Sequence, residues 1–308
     1  MKISVALCTY NGEKYIAEQL ESILKQEKSV YEIIICDDGS TDDTLRIITH
    51  YENQFPEIIK VYQNSENLGY IGNFEKAMSL CTGDLICLCD QDDRWFTNKT
   101  AAIAEIFEKH PHIDIVCHNI KLFGEAIDPS EPITYWDLDS THPNTLTQPQ
   151  DIIKRILYQG NIFPGMSMAI RNTFLKKHLP LKRINPVIIH DYELLLLAAD
   201  KDAVWTEEQI LGEYRIHPKQ SIGYKTFSHF KASEKQIISR ETLFTIFKRH
   251  PFVKNTIKDL NLNADLEKGH TLYCLEQYKN YLKNIPFLER VITKIKMKYY
   301  FHIFDYLK

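Results

Sequence analysis

Leu85-Ile86-Cys87-Leu88-Cys89-Asp90-Gln91-Asp92-Asp93-Arg94-Trp95 is the stretch that decides how this chain folds. An apolar run drives straight into three carboxylates within four positions. A short, uninterrupted apolar run predicts a buried strand. The carboxylates then stand at its C-terminal end, where open α/β sheets bind ligands. Carboxylates this close repel one another, and burying them without a counter-charge is costly. An oxygen-preferring divalent cation, Mg²⁺ or Mn²⁺, relieves that repulsion and can bridge to a diphosphate. Taken alone, the same residues also fit a solvated acidic turn.

Upstream, Ile3-Ser4-Val5-Ala6-Leu7-Cys8 predicts a first buried strand and Ile33-Ile34-Ile35-Cys36 a second, the latter ending in Asp37-Asp38-Gly39-Ser40. Ile16, Leu20, Ile23 and Leu24 recur at helical spacing between them. Ile58–Tyr62 predicts a third strand, and Phe74, Ala77 and Met78 mark the helix before the acidic strand. Strands alternating with helices imply right-handed βαβ units and a mixed, mostly parallel sheet. Downstream, a helix is expected over 100–109, strands over 113–117 and 166–170, and helices over 152–158 and 191–199. Residues 124–150, rich in Pro, Thr, Asp and Ser, read as a long loop. From about residue 227 the pattern is helical, with breaks near Pro251 and Pro286.

The 308 residues suffice for one large domain or two modest ones, and 44% hydrophobic with 25% charged residues is ordinary globular composition. A net charge of −4 argues against a general nucleic-acid binder. Residues 281–308 carry six basic against two acidic side chains, a net +4 that leaves −8 for the remainder. Seven cysteines with no C-x-x-C pair suggest neither a disulfide framework nor a zinc knuckle, and core thiols of a reducing compartment are expected. No signal-peptide core and no apolar run of membrane-spanning length stand in the sequence, so a cytoplasmic location is expected.

Two strand ends thus carry carboxylates, Asp37-Asp38 and Asp90-Gln91-Asp92-Asp93, and in a parallel sheet these ends share one edge. Ser4-Val5-Ala6-Leu7-Cys8-Thr9-Tyr10-Asn11-Gly12, then Ile35 to Asp42, Asn67-Leu68-Gly69 and Asp90 to Trp95 follow in the order and spacing of the family 2 glycosyltransferases with the GT-A fold, which residues 1–225 resemble. The resemblance implies an α/β fold, a Rossmann-like mixed sheet flanked by helices, as a catalytic domain over 1–225. Residues 226–308 are expected to form an α-helical extension.

The resemblance also implies roles. Thr9, Tyr10, Asn11 and Asp38 match positions around the nucleotide, and Asp90 and Asp92 match a D-x-D motif, with Asp92 the direct ligand of Mn²⁺ or Mg²⁺. Asn161 to Ser167, including Gly165, matches a loop lining the donor and acceptor sites, though it also reads as a turn feeding a strand, and Asn73 and Trp95 are candidates for the pocket wall, with Trp95 also fitting the core. His190-Asp191-Tyr192 matches the place of the general base, assigned to Asp191; without the resemblance Asp191 reads as a helix N-cap. Tyr214-Arg215-Ile216-His217-Pro218 with Ser221-Ile222-Gly223 resembles the Y-R-x-H…G element of bacterial polysaccharide rhamnosyltransferases, which implies either that Arg215 and His217 meet the diphosphate or that His217 helps bind the metal. Gln220 stands where that subfamily usually has Asn.

The expected function is inverting transfer of a sugar from a nucleoside diphosphate sugar, dTDP-rhamnose or a UDP-hexose, to a glycan or lipid-linked glycan in bacterial surface polysaccharide synthesis. A sugar nucleotidyltransferase would want a Gly-rich phosphate loop, but Thr9–Lys14 holds one glycine. An idle scaffold subunit would be expected to lose Asp92 or Asp191, and both are present. The basic, apolar carboxy-terminal segment reads either as a helix packed on the protein with solvated lysines or as a peripheral membrane contact at the inner face.

Overall fold

The computed structural model describes residues 1–125, 127, 133–138, 146, 149–217, 239–297 and 300. Most of the expected 124–150 loop, Gln220, Ser221–Gly223, the 225/226 boundary and residues 298, 299 and 301–308 lie outside the described residues. The chain divides into two compact units, Met1–Thr147 with Ile162–Ala232 and Gln148–Asn161 with Ser233–Lys308.

The first unit opens with β1 (Ile3–Thr9), α1 (Ile16–Leu24), β2 (Glu32–Asp37), α2 (Thr44–Gln54), β3 (Ile59–Gln63), α3 (Gly69–Leu80) and β4 (Leu85–Asp90). It continues through β5 (Arg94–Trp95), α4 (Lys99–Lys109) and β6 (Ile115–Gly124). Helix α5 (Pro149–Gln159) belongs to the second unit, after which β7 (Met168–Arg171), α6 (Asn172–His178), α7 (His190–Ala199) and β8 (Val204–Ile216) complete the first. The sheet order is β3-β2-β1-β4-β7-β6-β8-β5, parallel from β3 through β4 and between β6 and β8, antiparallel elsewhere. This is the mixed, mostly parallel sheet that the alternating pattern implies. Every residue of β1 and β2 is buried, which is why both read as continuous apolar runs rather than alternating ones.

Register sets the site. Thr9 lies opposite Asp37, and Cys8 lies between Cys36 on one side and Asp90 on the other. The acidic strand ends therefore share one sheet edge. All seven cysteines are buried and unbridged.

Strand β6 runs on to Gly124, seven residues past the expected Cys117, because β8 pairs with it through two register shifts around Asn119. Strand β8 itself is not evident from hydrophobic period. It lies next to the two-residue β5 at the sheet's edge, and Thr206 to Gln209 are at most half-buried. Solvated edge positions accept charged residues, so the apolar signal fades.

The second unit holds α8 (Arg240–Lys248), α9 (His250–Leu260), α10 (Asp265–Lys283) and α11 (Phe287–Met297) beside α5. Pro251 falls in the first turn of α9, where its missing N–H costs nothing, and Pro286 separates α10 from α11. A further break comes at Asn261, whose φ of 57° ends α9 in the left-handed conformation. The core of this unit is Leu243, Phe247, Cys274, Tyr278, Tyr281 and Met297. Among the described residues no helix is long and apolar enough to cross a membrane.

Candidate active site

The β1 and β2 ends are tied together first. Asp37 is fully buried and accepts from the Thr9 hydroxyl at 2.9 Å and from the Ser40 N–H at 2.9 Å. Thr9 is itself buried, so its hydroxyl braces Asp37. Asn11, at φ 49°, accepts from the Thr41 N–H at 2.8 Å, and its own N–H donates to Ser40 Oγ at 2.9 Å. Asp38 is buried; its Oδ1 accepts from Asn64 Nδ2 at 2.7 Å and from the Leu68 N–H at 2.8 Å. Asn73 does not reach open space. Its amide donates to the Cys36 carbonyl and accepts from Asn64, so it holds the residue that holds Asp38. Tyr10 is half exposed at the rim.

Gln91 is a site residue that sequence reasoning left without a role. Its amide forks onto the Tyr10 backbone, accepting from the N–H at 2.9 Å and donating to the carbonyl at 3.0 Å. This joins the β1 loop to the acidic loop. Gly12 leaves room for this fork, because a Cβ would fall 2.1 Å from Gln91 Oε1 and displace that side chain. Gly12→Ala is expected to eject Gln91 from that fork and to cost about 1–2 kcal/mol. Thermal unfolding measures this, and Gln91→Ala should show the same loss, with no further loss in the double variant.

The acidic cluster is held from β8. Arg215 donates its N–H to Asp93 Oδ1 at 2.9 Å, its Nε to the Asp92 carbonyl at 2.6 Å, and its guanidinium to Glu18. The Tyr15 and Phe123 rings lie 4.5 and 4.3 Å from that guanidinium. In this structure Arg215 shapes the acidic loop. His217 Nε2 lies 2.7 Å from Asp92 Oδ2.

Asp191 lies in the first turn of α7; the N-cap is Ile189, so Asp191 is not the cap. Its carboxylate accepts from the Tyr192 N–H at 2.6 Å, and a Cβ on Gly165 would stand 3.6 Å from its Oδ2 and 3.7 Å from Leu88 Cδ1. The 165–167 turn thus sits between β4 and the α7 carboxylate, at distances where a Cβ would also fit. Burial pushes Asp191 up to about 6, against the opposing backbone N–H groups of Tyr192 and Gly165. Burial first, then Asp92 and Asp191, push Asp90 up to about 7. Burial, Asp92 and Asp90 raise Asp93 well above the carboxylate range, and its Oδ2 is buried without a hydrogen-bond partner.

Beneath the cluster lies Lys99, fully buried at the start of α4. Its ammonium donates to the Met166 carbonyl at 2.7 Å and stands 4.0 Å from the centre of the buried Trp95 ring. Burial lowers it to about 8, and Cys87, Cys89, Asp93 and Asp90 oppose that shift. Lys99 is thereby a buried cation beside the carboxylates, as Arg215 is a partly exposed one. Nothing local in Thr97-Asn98-Lys99-Thr100 distinguishes it from a polar helix start.

Among the described residues no three His, Cys, Asp or Glu side chains form a ready-made metal cage. The donor set nevertheless suits a hard divalent cation. Asp92 adds to the cost of ionising Asp90 and Asp93, Asp93 Oδ2 is orphaned, and His217 borders Asp92. Magnesium-type ions are commonly held by one or two carboxylates, with substrate phosphates and water completing the shell.

The sheet order, with its acidic strand ends on one edge, is that of a GT-A fold. The family model for Glycosyl transferase family 2 matches residues 4–178, more than half of the chain, and the protein belongs to that family. Among its relatives is the dTDP-rhamnosyl transferase RfbG of Shigella flexneri, 28% identical over 75% of this chain and 78% of the relative. Two solved structures share the fold. One is Staphylococcus aureus TarS 1-349 in complex with UDP-GlcNAc, at a TM-score of 0.59 and 19% identity over 94% of this chain and 78% of that one. The other is the mannosyltransferase PcManGT of Pyrobaculum calidifontis with GDP-Man and Mn²⁺, at 0.55 and 16% over 97% and 81%. The chain spans 65% and 45% of the lengths of two other curated relatives it matches.

Proposed function

We propose that this glycosyltransferase moves a sugar, with inversion, from a nucleoside diphosphate sugar to a hydroxyl of a glycan or lipid-linked glycan, in assembly of a bacterial surface polysaccharide. The observation that supports the reading is that Asp191 stands near β4, with Gly165 between it and Leu88, and is close enough to oppose ionisation of Asp90 at the end of that strand. Asp191 takes the proton of the acceptor hydroxyl as that oxygen bonds to the anomeric carbon and the bond to the diphosphate breaks. A carboxylate titrating near 6 is ionised at neutral pH and still basic enough for that step. The Gly165 and Tyr192 N–H groups orient it. Asp38 offers its carboxylate to the base or ribose, and Tyr10 and Asn11 border the same space. Asp92, with Asp90 and His217, would hold Mn²⁺ or Mg²⁺, which when bound neutralises charge on the departing diphosphate. Arg215 keeps that loop in shape. The catalytic domain is assigned to 1–225, apart from 148–161, which fold with the helical region assigned to 226–308.

dTDP-rhamnose is the first donor to try, on the likeness to RfbG, with UDP-hexoses next. The test is nucleoside diphosphate release from UDP-, dTDP- and GDP-sugars, with Mn²⁺ or with EDTA. Slow, metal-dependent release from one donor is expected. Failure of every donor both to turn over and to shift the melting temperature would reject the proposal.

A further inference from the structure

Helix α11 has two faces of different character. Thr293 and Met297 are fully buried, and Glu289 turns inward to accept from the Tyr281 hydroxyl at 2.8 Å. On the outer face Phe287, Val291 and Ile295 follow at i, i+4 and i+8, with Ile292 alongside; they are 79%, 39%, 66% and 39% exposed. Helical periodicity merges these four into one apolar stripe. Lys294 and Lys296 are exposed, and at about 100° per residue they fall on opposite margins of that stripe. Neither makes an ion pair among the described residues; the only acid on the helix is the inward Glu289, and Glu241 of α8 is the acid whose ionisation Lys296 favours from a distance. The sequence from 281 to 308 carries net +4 in a chain of net −4.

A contiguous exposed apolar stripe marks an interaction surface. Its partner must be apolar where it meets the stripe and anionic along both edges. An anionic lipid surface has that layering, with acyl chains below and phosphates at the level of the lysines. We infer that α11 lies in the interface of an anionic membrane, Phe287, Val291, Ile292 and Ile295 facing the acyl region and Lys294 and Lys296 the headgroups. This does not depend on which sugar the enzyme transfers.

The full chain is to be sedimented with phosphatidylcholine vesicles with and without phosphatidylglycerol. Binding is expected to the anionic vesicles and to fall as salt rises. Lys294→Gln and Lys296→Gln should each weaken it about fivefold. Phe287→Ser with Ile295→Ser should weaken it at least about tenfold, without loss of thermal stability, since both side chains are exposed. Absence of binding to anionic vesicles, or equal binding by wild type and variants, overturns the inference. So does a dimer seen by light scattering without vesicles that the double serine variant dissociates, because the stripe is then an interface between two copies.

Discussion

Asp191→Asn is expected to lower the transfer rate about 10²–10⁴-fold while leaving donor affinity within about twofold. The substitution keeps the shape and still accepts from the Tyr192 N–H, so only the proton-accepting charge is removed. In the wild type the rate should rise with pH through about 6, where the carboxyl ionises, and level off above. Stability follows the opposite sign. The folded-state value is raised, so the contribution of this group is complete below its ordinary range and is lost as pH rises through about 6. The variant should therefore melt no lower than the wild type at neutral pH, and its melting temperature should vary less between about pH 4 and about pH 7. Rate measurement across pH beside thermal unfolding checks both. A variant retaining a tenth of the rate or more would remove Asp191 from the role of base.

The second large effect is expected at Asp92. Asp92→Ala takes away the neighbour of His217 Nε2 and one of the two carboxylates that crowd Asp90. Transfer should fall at least about 100-fold, and stabilisation by Mn²⁺ should vanish. Without added metal the variant should melt at or above the wild type, since a like-charge repulsion is gone. In the wild type, metal-induced stabilisation should grow from about pH 5 to about pH 8 as carboxyls raised by burial give up their protons. Asp90, at about 7, is the principal one. Thermal shift with a metal titration at each pH is the measurement. Full activity of the wild type in EDTA would sink the assignment.

Much of this was legible in the chain because the central strands are buried on both faces. Leu85–Cys89 and Ile33–Cys36 need no alternation, and the carboxylates that end them could be set on one edge from parallel order alone. The motif singled out Asp92 and His217 separately, and the fold sets them side by side. What escaped depends on which way one side chain points. Lys99 looks like a solvated residue at a helix start until its ammonium is found under Trp95 and Met166. Gln91 sits inside the decisive motif, yet its fork onto Tyr10 spans 81 positions of sequence. Periodicity over 152–158 shows a helix with one apolar face, but not which helices that face will meet.

Helix α5 has an implication for how the protein is made. Ile153, Ile156, Leu157 and Tyr158 are buried, and the Tyr158 hydroxyl donates to the Leu266 carbonyl in its own unit. Yet about 80 residues separate the end of α5 from the start of α8. At about 5–20 residues per second, a ribosome leaves that apolar face waiting roughly 4–16 s for its partners. During that interval α5 is a natural client for a chaperone. A version cut back to the last strand of the sheet would leave it waiting permanently, so expression of the isolated catalytic region should require either removal of α5 or a surface redesign of its inner face.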